Sequence, residues 1–243
     1  MNVAIHTTPD GNGAPRAAAA LREGLRPLGH DAAVIGLEAK GEDAGLASLP
    51  LVRQADVLSL HGFSAPGAAA SVRTLLDAGK PVVWTLYDHG PFTGGCRAPG
   101  TCTQFERDCA ACPQLPDPDA VRTNFALSMK LLRGARLTVA ARSRELANAA
   151  RRSRMFGATR VRETAQGGDP DHVRGHLLVF EEVLADEALP GKGPAAAGNG
   201  ALAKESPPLP PPASPSSCRP TTASRCSAKP SNPSSGKPIR TGS

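Results

Sequence analysis

Between Trp84 and Leu115 the chain reads WTLYDHGPFTGGCRAPGTCTQFERDCAACPQL, a strand that runs into Tyr87, Asp88 and His89 and then into four cysteines. Cys96, Cys102, Cys109 and Cys112 are spaced C-x5-C-x6-C-x2-C. A Cys-x-x-Cys pair grips one tetrahedral ion, and two further thiolates nearby can complete a closed structural zinc site. The first pair is wider than the usual separation of about two to four residues, so reduced or disulfide-linked thiols and an iron–sulfur cluster stay open beside zinc. Four thiolates leave no open coordination position, so no metal is expected at a reaction centre. Asp88 and His89, with His61 in the segment LSLHGF, are the groups suited to proton transfer, because strand ends hold such side chains rigidly. Each has a plain structural alternative: Asp88 as a turn cap, the histidines as buried polar residues.

The elements that must carry these groups show in the periodicity of the first 165 residues, where short apolar runs alternate with amphipathic segments. Strands are expected at 2–6, 31–37, 56–62, 80–86 and 136–141, and helices at 14–29, 67–79, 120–134 and 143–156. Pro15 suits a first helical turn, and Ser143 suits a helix cap. Strands apolar throughout and separated by helices imply a Rossmann-like α/β domain, a parallel sheet with helices on both faces. Ligands of such sheets sit beyond the carboxyl ends of the strands. TTPDGNGAPR, HGF, YDHGPF and ARS, the last ending at Ser143, all fall there. Gly11 and Gly13 in the first of these loops would let a helix N-terminus approach an anion or a sugar. As a dinucleotide fingerprint the loop fails at Arg16, which stands where a small residue is needed.

Composition changes sharply after residue 189. From Pro190 to Ser243, proline and serine supply 22 of 54 residues, and no aromatic residue occurs. Such a segment buries too little apolar surface to offset its ordering entropy and reads as a disordered tail. It also holds seven Lys or Arg against Glu205, which accounts for the entire net charge of +6. The folded part is therefore neutral and gives no reason to expect a nucleic-acid partner. No run of residues is apolar and long enough for a membrane span, and the N-terminus lacks a signal peptide's basic start and apolar run. A cytoplasmic protein is expected, with peripheral membrane association left open. In that compartment the six cysteines do not suggest a disulfide framework.

Five segments together carry a family resemblance: HTTPDGNGAPRAAAALREGLRPLGHD, ADVLSLHGF, GKPVVWTLYDHGPFTGGC, CAACPQL and LTVAARSRELANAARRSRMF. They resemble the N-terminal half of the bacterial group 1, family 4 glycosyltransferases of polysaccharide assembly, over about residues 1 to 172. The resemblance implies one half of a two-domain GT-B fold, with the acceptor, a saccharide or lipid-linked saccharide, bound mostly by this half. It implies a retaining transfer from a nucleotide-sugar donor, UDP- or GDP-linked, with no metal at the reaction centre. Gly13 and Arg16 match the family's acceptor loop, and Asp88 matches the acid of its His-Asp pair; Tyr87 stands where that His is usual. Asp88, Tyr87 and His61 are thus the candidate catalytic residues, and Gly13, Arg16, His89 and Ser143 the candidate substrate contacts. QGGDPDHV, 166–173, resembles the family's interdomain linker.

The domain organisation expected is a Rossmann-like acceptor-side domain over 1–173 with a cysteine-rich insertion at 90–116, a helix over 174–189, and the tail over 190–243. Neither a second Rossmann pattern nor the donor domain's Glu-x7-Glu motif follows residue 173. The expectation is a truncated enzyme, weakly active or inactive alone, whose Pro-, Ser- and Arg-rich tail is of the kind a shifted reading frame produces in a GC-rich gene. Two alternatives stand beside it. The tail could be a native linker, and the folded part could be a non-catalytic glycan- or protein-binding module with a zinc-stabilised loop.

Overall fold

Val57–His61 and Val82–Leu86 are buried at every position, which only a strand covered on both faces tolerates. They form β3 and β4 of a six-stranded sheet completed by β1 (Asn2–Thr7), β2 (Asp31–Gly36), β5 (Leu137–Ala141) and β6 (Arg160–Glu163). Every pairing is parallel, in the order β2-β1-β3-β4-β5-β6. The helices are α1 (Ala14–Leu25), α2 (Pro50–Gln54), α3 (Ala68–Leu76), α4 (Pro118–Leu131), α5 (Arg144–Arg152) and α6 (Asp171–Glu187). The computed structural model describes residues 1–8, 13–36, 43–65, 68–165 and 171–188. All of these belong to one compact unit; the other unit, Ala197–Ser243, lies outside the described residues. So do the expected tail from 190, residues 166–170 of the expected linker, and Gly11.

The parallel α/β class with both faces covered, expected from the sequence, is the observed fold. One face carries Val3, Ile5, Val57, Val83 and Ala140 beneath α1 and α6, which contribute Ala18, Leu21, Leu25, Val179, Phe180 and Val183. The other carries Leu58, Leu60, Trp84, Leu86 and Val139 beneath α2, α3, α4 and α5. Alternation along each strand assigns the faces, so Ser59 and His61 point with Val57 toward α1 and α6, opposite Leu58 and Leu60.

Local chemistry sets the element ends. Asp117 caps α4 by accepting the Ala120 N–H at 2.9 Å, and Ser143 caps α5 by accepting from Leu146 at 3.2 Å. The first helix, expected to reach residue 29, stops at Leu25 and tightens into a 3-10 turn over Arg26–Leu28. Pro27 explains this, since it has no N–H and its ring clashes with a preceding carbonyl. The last helix, expected from 174, begins at Asp171. Its buried positions are His172, His176, Val179, Phe180 and Val183, one stripe at helical spacing that lies on the sheet rather than apart from it.

Candidate functional site

Beyond β4 the chain turns at once into Tyr87, Asp88 and His89 and then into a 3-10 turn over Gly90–Phe92. Asp88 is held at both oxygens: Oδ1 accepts the Gly90 N–H at 2.8 Å and Oδ2 accepts from Arg97 Nε at 2.8 Å. The His89 N–H donates to the Arg97 carbonyl at 3.2 Å, so the start of the cysteine loop folds back beside the strand end. Burial lowers the His89 imidazole from its ordinary pKa, against smaller upward pulls from the Arg97 backbone and the Asp88 charge.

An aromatic column supports this corner from below. His89 lies 5.3 Å from Phe92, Phe92 lies 5.6 Å from Phe105 and 6.0 Å from Phe156, and Phe156 meets Trp84 of β4 edge-on at 5.7 Å. These tilted and edge-to-face arrangements suit aromatic quadrupoles. Gly94 is needed for contact of another kind: a Cβ there would stand 2.2 Å from the Val121 carbonyl oxygen of α4. The loop is thus pinned to the sheet by rings and to α4 by close backbone approach.

The pinned loop and one side of α5 enclose a cleft of about 500 Å³ outside the carboxyl ends of β4 and β5. Its walls include Tyr87, Asp88, His89, Arg97, Thr103, Ser143, Glu145 and Arg152. Arg152 bonds to Glu106 at 2.9 Å, so both charge signs are present and partly paired. The strand order reverses between β1 and β3, where open sheets usually place ligands, yet the large cleft lies two strands further along. At the reversal itself the chain is tightly bound: Thr8 N–H donates to the His61 carbonyl at 3.2 Å, and Phe63 N–H donates to Thr8 Oγ1 at 3.0 Å. Phe63 there adopts φ 60° with its ring fully buried, a left-handed conformation that costs a non-glycine residue about 1 kcal/mol or more.

Of the residues expected at the site, Tyr87, Asp88, His89 and Ser143 share the cleft. Gly13 and Arg16 do not line it; Gly13, at φ 76°, sits at the start of α1, and Arg16 is exposed on that helix. His61 is fully buried and stands behind Tyr87, with Nδ1 2.7 Å from the Tyr87 hydroxyl and Nε2 2.9 Å from Ser59 Oγ. Burial first, then the nearby His176 and His172, hold its pKa well below the histidine range. Burial raises the Tyr87 hydroxyl, against the pull of Arg142, whose guanidinium lies 4.5 Å above the ring. The pair is therefore neutral at physiological pH and serves to orient Tyr87. Arg97, Thr103, Glu145 and Arg152 have no sequence signal as cleft residues, because tertiary packing alone brings them in.

Cys96 and Cys109 are buried, Cys102 and Cys112 are half-buried, and none of the four is in a disulfide. Burial pushes the Cys109 thiol up to about 11, offset in part by a hydrogen bond from the Gly94 backbone; Cys96 is raised likewise against a bond from Ala98. The charges of Cys112 and Cys102 raise both thiols further, with that of Asp88 added at Cys96 and that of Cys96 at Cys109. The donors have the softness zinc selects, and the backbone bonds are of the kind that support thiolate ligands. As placed, no three His, Cys, Asp or Glu side chains among the described residues form a metal-holding group. No described helix is long and apolar enough to cross a membrane. Compared with protein-family models, curated proteins and solved structures, the chain matches none.

Proposed function

We propose that the folded body is the acceptor-binding half of a glycosyltransferase, taking a saccharide or lipid-linked saccharide in the cleft beside Asp88. One observation carries this reading: a carboxylate fixed at both oxygens on the wall of a roughly 500 Å³ cleft that also presents Tyr87, Arg97, Thr103 and Ser143. A cleft of that size, lined by fixed polar and charged groups with some apolar wall between them, suits a small polar ligand. Sugar hydroxyls both donate and accept, and these side chains offer both functions. The resemblance of YDHGPFTGGC to the glycosyltransferase family supports the same assignment. On this reading Asp88 receives an acceptor hydroxyl, Tyr87 and His89 shape the wall, and His61 holds Tyr87 in place. The nucleotide-sugar donor, UDP- or GDP-linked, belongs to a second domain. Where zinc binds, Cys96, Cys102, Cys109 and Cys112 would hold it, and it would brace the loop without entering the reaction.

Titration of the ¹⁵N-labelled chain with oligosaccharides tests this. Shifts are expected at Tyr87, Asp88, His89 and Ser143, and Asp88→Ala should abolish them while the remaining spectrum is preserved. No tight binding of UDP or GDP and no transfer by the chain alone are expected, because the groups that would stabilise the leaving diphosphate are not in this domain. Turnover by the chain alone that disappears in Asp88→Ala would sink the division of labour, and shifts confined to another surface would sink the cleft. The second reading, a binding module without catalysis, draws on the neutrality of His61 and Tyr87, which leaves little proton-transfer machinery at the cleft. Activity restored by a separate donor-binding chain would decide for the enzyme.

A further inference from the structure

Three histidines stand in a row where the N-terminal half of α6 meets the sheet. His61 of β3 stacks on His176 with centroids 5.6 Å apart, and His176 meets His172 at 4.5 Å. All three are buried, with relative exposures of 0% for His61 and His176 and 1% for His172. His176 Nδ1 donates to the His172 carbonyl at 3.0 Å, which leaves Nε2 to accept from Thr85 Oγ1 of β4 at 3.1 Å. His61 is satisfied by two hydroxyls, those of Ser59 and Tyr87. His172 faces two backbone carbonyls, Ala165 at 3.2 Å and Ala17 of α1 at 3.4 Å.

Among the described residues no carboxylate is bonded to this row. Ser59 and His61 face it from β3, Thr85 from β4, and Tyr87 from beyond the end of β4, with Arg142 stacked on the far side of that ring. From α1 only the Ala17 carbonyl reaches it; Arg16 and Glu23 are exposed, and Arg22 is occupied by Glu23. On α6 itself, Asp171 and Arg174 are exposed. Glu182 and Asp186 pair with Arg160 and Arg162 of β6, toward the other end of the helix. The two halves of α6 are thus held differently, the C-terminal one by apolar side chains and ion pairs and the N-terminal one by buried imidazoles.

We propose that His61, His172 and His176 form an acid-released catch, which seats the N-terminal half of α6 while the rings are neutral and frees it when His61 or His176 takes up a proton. A cation on either ring would sit buried beside two further imidazoles, with no counter-charge bonded to it among the described residues. Burial and the neighbouring rings hold His176 down to about 4 and His61 well below the ordinary range. Because the released state binds protons more readily, the catch is fully set above the ordinary histidine pKa of about 6.5 and weakens as pH falls from there toward about 4. The same His61 orients Tyr87, so release would also loosen one wall of the cleft.

Amide hydrogen exchange of the full chain, corrected for intrinsic rates, tests the catch. Between pH 6 and pH 5 the protection of Gly175–Phe180 should fall by roughly fiftyfold if two rings respond, each contributing about sevenfold. Amides of β3 and β4 such as Leu60 and Trp84, which exchange only when the whole domain opens, should stay better protected than those of α6 at both pH values, although acid weakens the whole domain too. His176→Gln should reduce the fall in α6 to about sevenfold. Unchanged α6 protection over this range would overturn the proposal, and so would α6 protection no lower than that of the strands, which marks exchange by global unfolding. Both of those results are read on the unsubstituted protein, so the outcome does not depend on how well the variant folds. A pH response in a folded His176→Gln equal to that of the parent would also overturn it.

Discussion

Truncation of Phe92 to alanine should loosen the cysteine loop and cost a large part of the stability. Phe92 is fully buried and touches three rings, those of His89, Phe105 and Phe156. Removing a buried Phe side chain costs about 3–5 kcal/mol in lost transfer energy and residual cavity, and here the cavity would open beneath a loop rather than in the sheet. Against a typical domain stability of about 5–15 kcal/mol that is a heavy loss. Phe92→Leu keeps most of the volume and forfeits chiefly the three ring contacts, so a loss of about 1.5 kcal/mol, the low end of about 0.5–1.5 kcal/mol for each, is expected. Urea unfolding followed by Trp84, the single tryptophan and itself in contact with Phe156, measures both variants. Native-state labelling of the thiols supplies the local reading, because Cys109 is only 5% exposed and should react faster as the loop opens. A cost below about 1 kcal/mol for Phe92→Ala, or a large cost with unchanged labelling of Cys109, would refute the claim that the rings hold the loop to the sheet.

Tyr87→Phe removes the hydroxyl that answers His61 Nδ1 and leaves that buried nitrogen unpaired; a loss of about 1–3 kcal/mol is expected in the same unfolding experiment. Gly94→Ala would place a methyl against the Val121 backbone and should destabilise by about 1–3 kcal/mol or more, whereas Gly45→Ala, with nothing within 4 Å, should stay within about 0.5 kcal/mol; calorimetric melting of the two separates them. Protein purified without chelator should carry about one zinc per chain by elemental analysis and lose it in the Cys109→Ser, Cys112→Ser double variant, and metal-free parent protein would remove the zinc reading.

The sheet's interior was legible because β1, β3, β4 and β5 are apolar or β-branched almost throughout. β6 was not, because Arg160–Glu163 contains one buried residue, Val161, among three charged ones, and its pairing with β5 comes from tertiary placement. The five-residue α2 is too short to show a period. Tyr87, Asp88, His89 and Ser143 could be placed at the cleft because each lies just beyond a strand end. His61 also ends a strand, but the pleat turns it under α6, a consequence of register that a strand-end rule ignores. The polar pair His172 and His176 belonged to a helical stripe with Val179, Phe180 and Val183, visible only once imidazoles are counted among the buried residues. Arg97 and Arg152 approach from a loop and from the last turn of α5, and nothing in their local sequence marks a cleft.

The position of α6 in the chain has a consequence for synthesis. It covers Val3 and Ile5 of β1, the earliest made of the described strands, yet it is itself made last among the described elements. At elongation rates of about 5–20 residues per second, that face of the sheet waits on the order of ten seconds before its cover exists. The nascent domain can pair β1 with β2 and β3 during this interval, but its apolar side stays open to other chains and to chaperones. Substitutions in α6 that weaken its seat should therefore reduce soluble yield in cells by more than their effect on the finished protein's melting point would suggest.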